Sequence, residues 1–263
     1  MDFEYIKSKD NRTLKTIMKL QSSSSFRKKN DRFVLEGLRL CRDAVMNGYK
    51  PEILAVTENT YNQFKSDIDY IAENSERVVL LEAETFLKLS DTKSPQGVLS
   101  VLSIPKNTGS VQNIKNGKYI ILENLQDPSN LGAVARTAEA LGIDGLIIDN
   151  KGCDPYSPKA QRAGMGALLR LPIYISSDFY SDLSLLKEKG FSLFATVPDK
   201  TAVNVKNVVF GENSAAIIGN EGNGLTENAV CLCDNRVTIP MIGRAESLNA
   251  SVAASIIMWE MVK

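Results

Sequence analysis

Three short pieces near the C-terminus hold groups that could build a small-molecule site: GNEGNGL at 219–225, VTIPM at 237–241 and SLNASVAAS at 247–255. Glu221 offers a carboxylate, Ser247 a hydroxyl, and Asn220 and Asn249 carboxamides. Gly219, Gly222 and Gly224 let backbone approach a ligand closely and adopt φ > 0. The last piece opens a helix, whose first N–H groups lack partners and suit an anion or carboxylate. Upstream, LENLQDPSNLGAVARTAEALG at 122–142 reads as a strand end, a turn and a helix, with Ser129 or Asn130 as cap and Gly142 as stop. Arg136 sits in that helix among Gly132, Ala133 and Ala140, which leaves room for a bulky group. The competing reading is an Arg136–Glu139 surface pair, worth little energetically. In YSPKAQRAGMGALLRLP at 156–172, Lys159, Arg162 and Arg170 are basic and Gly164 and Gly166 permit close approach. Phosphate contact and helix packing through the glycines are both open there.

The chain has no histidine among its 263 residues. Histidine acid–base chemistry, Ser-His-Asp triads and Cys-His pairs are therefore excluded. The glycine order is G-x-x-G-x-G and lies late in the chain, unlike a dinucleotide fingerprint. Cys231 and Cys233 have no second Cys or His cluster to complete a metal site, so the CLC spacing reads as two small side chains on one strand face. Formal net charge is zero, yet residues 1–50 carry 12 Lys and Arg against 6 Asp and Glu. A basic front points to a polyanion contact near the N-terminus, with Arg27, Lys28 and Lys29 as its core.

Alternating elements must position these groups. Helical spacing covers 14–20 and 33–46, and SSSSFRKKNDR between them reads as a mobile basic segment. Short apolar runs at 53–56, 78–81 and 98–102 read as strands, separated by helices at 61–71 and 85–89. Residues 104–118, rich in Pro, Gly, Asn and Lys, read as a linker. The alternation then restarts, with strands at 119–122, 145–148, 173–175, 191–196, 215–218 and 237–239. Such apolar strands imply a mostly parallel α/β sheet covered on both faces. The expected division is an N-terminal substrate domain over 1–103, the linker, and a second domain over 119–263. No apolar run nears the ~20 residues of a membrane span, and the charged start is not a secretory signal; a cytoplasmic protein is expected.

Together these segments resemble the SpoU (TrmH-type) RNA 2′-O-ribose methyltransferases of the SPOUT superfamily over essentially the whole chain. Asn130 and Arg136 match that family's first motif; Gly219, Asn220, Glu221, Gly222, Gly224 and Leu225 the second; Ile239, Pro240, Ser247, Leu248, Asn249, Ser251 and Ala253 the third. Glu36-Gly37 and Pro95-Gln96-Gly97 resemble the small N-terminal domain of many members. Gly164 departs from the serine expected there. The resemblance implies an α/β fold with a C-terminal trefoil knot, a rare exception to un-knotted topology. It implies S-adenosylmethionine without a metal, held by Thr196, Gly219, Asn220, Gly222, Gly224, Ile239 and Leu248. It implies catalysis by Arg136, as base or phosphate clamp, with Asn130, Glu221, Ser247 and Asn249 orienting. RNA would be contacted by Arg27, Lys28, Lys29, Lys159 and Arg162, and the protein would be a homodimer. A separate N-terminal domain favours ribosomal RNA; tRNA, or a non-catalytic role in ribosome assembly, are the alternatives.

Overall fold

Runs of Val, Ile and Leu between polar turns become the strands of two sheets. The computed structural model describes residues 3–6, 11–105 and 108–263. Two units emerge: Met1–Pro105 with Asp154–Leu169, and Lys106–Cys153 with Arg170–Lys263.

The first unit runs β1 (Glu4–Ile6), α1 (Arg12–Ser22), α2 (Ser24–Asn30), β2 (Arg32–Glu36), α3 (Leu38–Met46), β3 (Ile53–Thr57), α4 (Glu58–Gln63), α5 (Lys65–Glu73), β4 (Val78–Leu81), α6 (Ala83–Leu89) and β5 (Val98–Ser103). Its sheet has the order β1-β4-β3-β5-β2. β4 pairs parallel with β1 and β3, and β5 runs antiparallel to β3 and β2. Residues 32–36 are thus a strand, not the start of a helix. Phe33, Val34 and Leu35 are all buried, so consecutive side chains serve both faces of the sheet. Gly37, at φ +107°, turns strand into helix.

The serine-rich basic segment is helical, not an irregular stretch. Ser23 caps α2 by accepting from Phe26 N–H at 3.2 Å, and Asp31 ends it in the left-handed region. Inside it, Arg27 is only 4% exposed. Its Nε donates to Asp154 Oδ2 at 2.7 Å, and its Nη1 donates to the carbonyls of Leu20 at 2.6 Å and Gln21 at 3.1 Å. Those carbonyls belong to the last turn of α1, where no helical N–H can reach them. Arg27 is therefore a core cross-link and not an RNA contact. Lys28 and Lys29 beside it are exposed.

Asp154–Leu169 joins this unit from the later half of the chain. The Tyr156 ring packs on Phe33 at 5.1 Å, and Leu169 accepts from the Tyr49 hydroxyl at 2.6 Å. Lys159 and Arg162 thus stand in the first unit.

The second unit begins with β6 (Thr108–Gly109), β7 (Lys118–Leu122), α7 (Pro128–Leu141) and β8 (Gly145–Asp149). The chain then passes through α8 (Pro158–Gly164) of the first unit and α9 (Ala167–Arg170). It returns as β9 (Ile173–Ser176), α10 (Phe179–Glu188), β10 (Ser192–Thr196), β11 (Val203–Asn204), β12 (Ser214–Ile218), α11 (Glu227–Leu232), β13 (Asn235–Thr238) and α12 (Ala250–Val262). The strand order is β11-β13-β10-β12-β7-β8-β9-β6, and every pairing is parallel. β8 and β12 are buried at every residue, as expected of a covered parallel sheet.

Two local expectations fail here. Val111 and Ile114, inside the expected linker, are core residues packed with Tyr119, Phe191 and Ala215. Cys231 lies in the helix α11 and Cys233 caps its end, so the CLC spacing does not make a strand. Among the described residues no helix is long and apolar enough to cross a membrane, and no Asp, Glu or Cys group could hold a metal ion.

The Arg27–Asp154 pair generates a stability prediction. Removing one partner of a buried pair strands the other charge, at about 3–5 kcal/mol. We expect Arg27→Ala to lower unfolding free energy in urea by that order. A loss under ~1 kcal/mol would show that the pair is not structurally required.

Candidate functional site

Because β13, β10, β12 and β7 are parallel neighbours, their carboxyl ends lie along one sheet edge. Open parallel sheets bind ligands at that edge. The loops 123–127, 197–202, 219–226 and 239–249 all leave from it.

The first of these leads into α7. Asp127 is the cap, accepting from Ser129 N–H at 2.9 Å, with Pro128 at the first helical position. Neither Ser129 nor Asn130 is the cap, which frees Asn130 for other work. Asn130 is 7% exposed, and its Nδ2 donates to Glu221 Oε1 at 2.9 Å. Glu221 also accepts from the N–H groups of Gln126 and Asp127, each at 3.0 Å. Asn249 caps α12 by accepting from Ser251 N–H at 2.9 Å, and its Nδ2 donates to Asn130 Oδ1 at 3.0 Å. A relay Asn249→Asn130→Glu221 therefore ties the three sequence motifs into one cluster. Partial desolvation raises the Glu221 carboxyl, but the bonds from Asn130, Asp127 and Gln126 outweigh it and hold the group below the ordinary carboxylate value.

The glycine loop is shaped by its own backbone. Asn220 and Gly224 exchange two main-chain hydrogen bonds at 3.0 and 2.9 Å. Asn220 Oδ1 accepts from the N–H groups of Gly222 and Asn223, and its Nδ2 donates to Asn124 carbonyl at 2.9 Å. A Cβ on Gly219 would sit 2.3 Å from the Gly224 carbonyl carbon, so only glycine fits. Gly222 and Gly224 are different: a Cβ would meet only Asn220 Oδ1 at 3.5 Å in the first case and nothing within 4 Å in the second. Behind the loop, buried Glu123 accepts from Thr226 N–H and hydroxyl at 3.0 and 2.7 Å. That pair was absent from the sequence reading; a glutamate directly after an apolar strand was its only signal.

The remaining candidates divide. Thr196 ends β10, and its hydroxyl is committed to the Ile217 carbonyl at 2.6 Å. Ile239 and Leu248 are half-buried on the same edge. Between them, residues 240–248 make no hydrogen bond among the described residues, Ser247 included. Arg136 does not join the relay. Six residues beyond Asn130, it lies about 9 Å along α7 and roughly 120° around it. It is exposed and has no hydrogen bond or ion pair among the described residues. The alternative Arg136–Glu139 pair is absent because Glu139 binds Arg170, with Nη2 to Oε2 at 3.0 Å. That bond holds the Glu139 carboxyl below its ordinary value.

The relay yields a pH prediction. The folded Glu221 carboxyl lies below its unfolded value of about 4.3, so its contribution is full above that pH and is lost as pH falls through the lowered folded value. An exposed anion at a helix start contributes ~0.3–1 kcal/mol. Glu221→Gln should lose stability of that order at pH 7, and the gap to wild type should narrow as pH falls below the ordinary carboxylate range and the lowered Glu221 group is protonated. A gap that stays constant as pH falls from 7 through the carboxylate range would refute the assignment.

Residues 117–259 match the family model described as the SpoU rRNA methylase family, and residues 11–100 match the MRM3-like substrate binding domain. The chain is 28% identical over 257 residues to the 23S rRNA (guanosine(2553)-2′-O)-methyltransferase RlmP of Bacillus subtilis, covering 97% of this chain and 98% of that one. It is 29% identical over 237 residues to a candidate TrmH family tRNA/rRNA methyltransferase of Staphylococcus aureus (strain COL), covering 88% and 95%. Among solved structures, an AdoMet-bound rRNA methyltransferase from Sinorhizobium meliloti superposes with a TM-score of 0.85 at 25% identity, over 98% of this chain and 97% of that one. The sheet edge, the relay and the glycine loop thus sit inside a matched region spanning more than half of the sequence, and the chain belongs to the SpoU rRNA methylase family.

Proposed function

We propose that this protein transfers a methyl group from S-adenosylmethionine to a ribose 2′-hydroxyl of RNA, with 23S-type ribosomal RNA as the substrate class. The observation that carries the reading is Arg136, without a partner among the described residues, on the helix whose first turn is fixed by the Asn249–Asn130–Glu221 relay. The rRNA preference is supported by the end-to-end match to a 23S rRNA enzyme, N-terminal unit included.

The chain's own groups fit the cofactor. A Cβ would meet nothing within 4 Å at Gly224 or Gly243, so backbone there is open to approach. The unpaired main-chain groups of 240–248 can bond an adenine edge and a carboxylate. Gly219, Asn220, Gly222, Gly224, Ile239 and Leu248 are the proposed contacts, with Thr196 contributing backbone because its hydroxyl is engaged. When bound, S-adenosylmethionine supplies a sulfonium methyl that the ribose 2′-oxygen takes in line, leaving S-adenosylhomocysteine and releasing the 2′-hydroxyl proton.

Positioning is what the protein adds, and well-oriented reactants can save ~7–11 kcal/mol. Arg136 is proposed to clamp a phosphate bidentately and stabilise charge developing on the 2′-oxygen. Asn130, Glu221 and Asn249 fix the start of its helix, and Ser247 is free to meet the nucleotide.

The reading includes the trefoil knot implied by the resemblance, and a homodimer. Thr137 of α7 and Ser255 of α12 are hydrogen-bonded at 3.2 Å and mark where these helices meet. Val252 and Trp259 lie three before and four after Ser255, and Ala133 lies four before Thr137, so they share that side. Val252 and Trp259 are 46% and 58% exposed, an apolar pair on α12 that a second copy is proposed to cover. Sedimentation should give a dimer for wild type and a monomer for Val252→Glu with Trp259→Glu. A monomeric wild type at tens of micromolar would end the dimer proposal.

Calorimetry with a chelator present should detect S-adenosylmethionine binding; none at millimolar ligand would sink the methyltransferase reading. Arg136→Ala should lower the single-turnover methylation rate by about 10²–10³-fold with cofactor affinity unchanged. Arg136→Lys should keep partial activity, since a point charge replaces a fork. A near wild-type rate for Arg136→Ala would remove Arg136 from the mechanism.

A further inference from the structure

Folding pairs three arginines of the basic front with carboxylates. Arg27 pairs with Asp154, Arg32 with Glu52 and Arg42 with Asp67. Arg39 does not: it is exposed in the first turn of α3 and has no partner among the described residues.

Arg39 stands beside a loop fastened at both ends. At one end Glu36, 7% exposed, accepts from the hydroxyls of Ser90 and Thr92, the latter at 2.9 Å, and from Asp91 N–H at 3.2 Å. At the other, Gln96 Oε1 accepts from Leu38 N–H at 3.0 Å, and the Gln96 carbonyl accepts from the Thr60 hydroxyl at 2.7 Å. Gly97 follows at φ +74°, where a Cβ would lie 2.3 Å from the Thr60 hydroxyl. The Glu36-Gly37 and Pro95-Gln96-Gly97 pairs are therefore two halves of one fastening.

What the fastening presents is cationic. Lys93 follows Thr92, is exposed, and has no partner among the described residues. Arg162 of α8 reaches the same loop, its Nη2 donating to Asp91 Oδ2 at 2.7 Å while its Nη1 is buried without an acceptor. Around residues 90–97, Glu36 is buried in hydrogen bonds and Asp91 is held by Arg162; Asp43, one helical turn beyond Arg39, accepts from Asn47 Nδ2 at 3.3 Å.

We propose that this face, the 90–97 loop with the first turn of α3, is where the first unit grips the RNA backbone, with Arg39 and Lys93 as the phosphate contacts and Arg162 beside them. A rigid loop loses little freedom when its cations meet a strand of phosphates. The exposed Lys28–Lys29 pair is the competing surface. The proposal rests on the RNA methyltransferase reading above.

The test is filter binding of deproteinised 23S rRNA to the full chain across salt concentrations. Arg39→Glu with Lys93→Glu should weaken binding at least tenfold and flatten the log–log salt slope by about 1.4–1.8, since each lost phosphate contact removes ~0.7–0.9. Lys28→Glu with Lys29→Glu should cost less. S-adenosylmethionine affinity should stay at the wild-type value in both, and kcat at saturating RNA should persist while KM rises. Wild-type affinity and slope for the first double variant, or a larger loss for the second, overturns the proposal while leaving the methyltransferase reading intact. A wild type that binds no rRNA overturns the proposal and its premise, whereas a wild type that binds rRNA but no cofactor overturns the premise alone.

Discussion

Three segments that are 91 and 119 residues apart in sequence meet through two side-chain hydrogen bonds, Asn130 to Glu221 and Asn249 to Asn130. Two such bonds contribute only ~1 kcal/mol each. They cannot by themselves meet the loop-closure entropy of bringing those segments together. The sheet does that. Leu122 pairs with Ile218 at the carboxyl ends of β7 and β12, so the loops that carry Asn130 and Glu221 start as neighbours. The relay then fixes orientation within an arrangement that hydrophobic burial has already made.

The same structure sorts its arginines. In the second unit Arg170 is held by Glu139 and Arg236 by Asp199, whereas Arg136 and Arg244 have no partner among the described residues. Structural arginines sit between elements and are matched by carboxylates. The unmatched pair lies on α7 and on the 240–248 segment, the latter without a hydrogen bond among the described residues. Unsatisfied hydrogen-bonding capacity is concentrated where a ligand is proposed to supply it.

Much of this was readable without coordinates. Ordered motifs located the relay residues because each needs a specific side chain at a turn. The helix α7 was legible from the turn before it and the Gly142 stop, although it starts earlier, at Pro128, and its cap is Asp127, not Ser129 or Asn130. The misreadings have common causes. The apolar run 33–35 continues at helical spacing into α3, and nothing local says that both faces of a strand are buried there. Residues 24–30 look too polar to fold, but Phe26 and Arg27 anchor them through contacts set by distant chain. Arg27 resembled a surface cation because its partner, Asp154, is 127 residues away.

The excursion of Asp154–Leu169 has a consequence for the order of synthesis. The last strand of the first unit, β5, ends at Ser103, yet Tyr156 and Leu169 belong to that unit's core and Asp154 to its buried ion pair. A growing chain must therefore be extended by roughly 60 further residues before the first unit can close. At ~5–20 residues per second, that leaves a sheet with an open side for several seconds on the ribosome. The N-terminal unit starts first but cannot finish first.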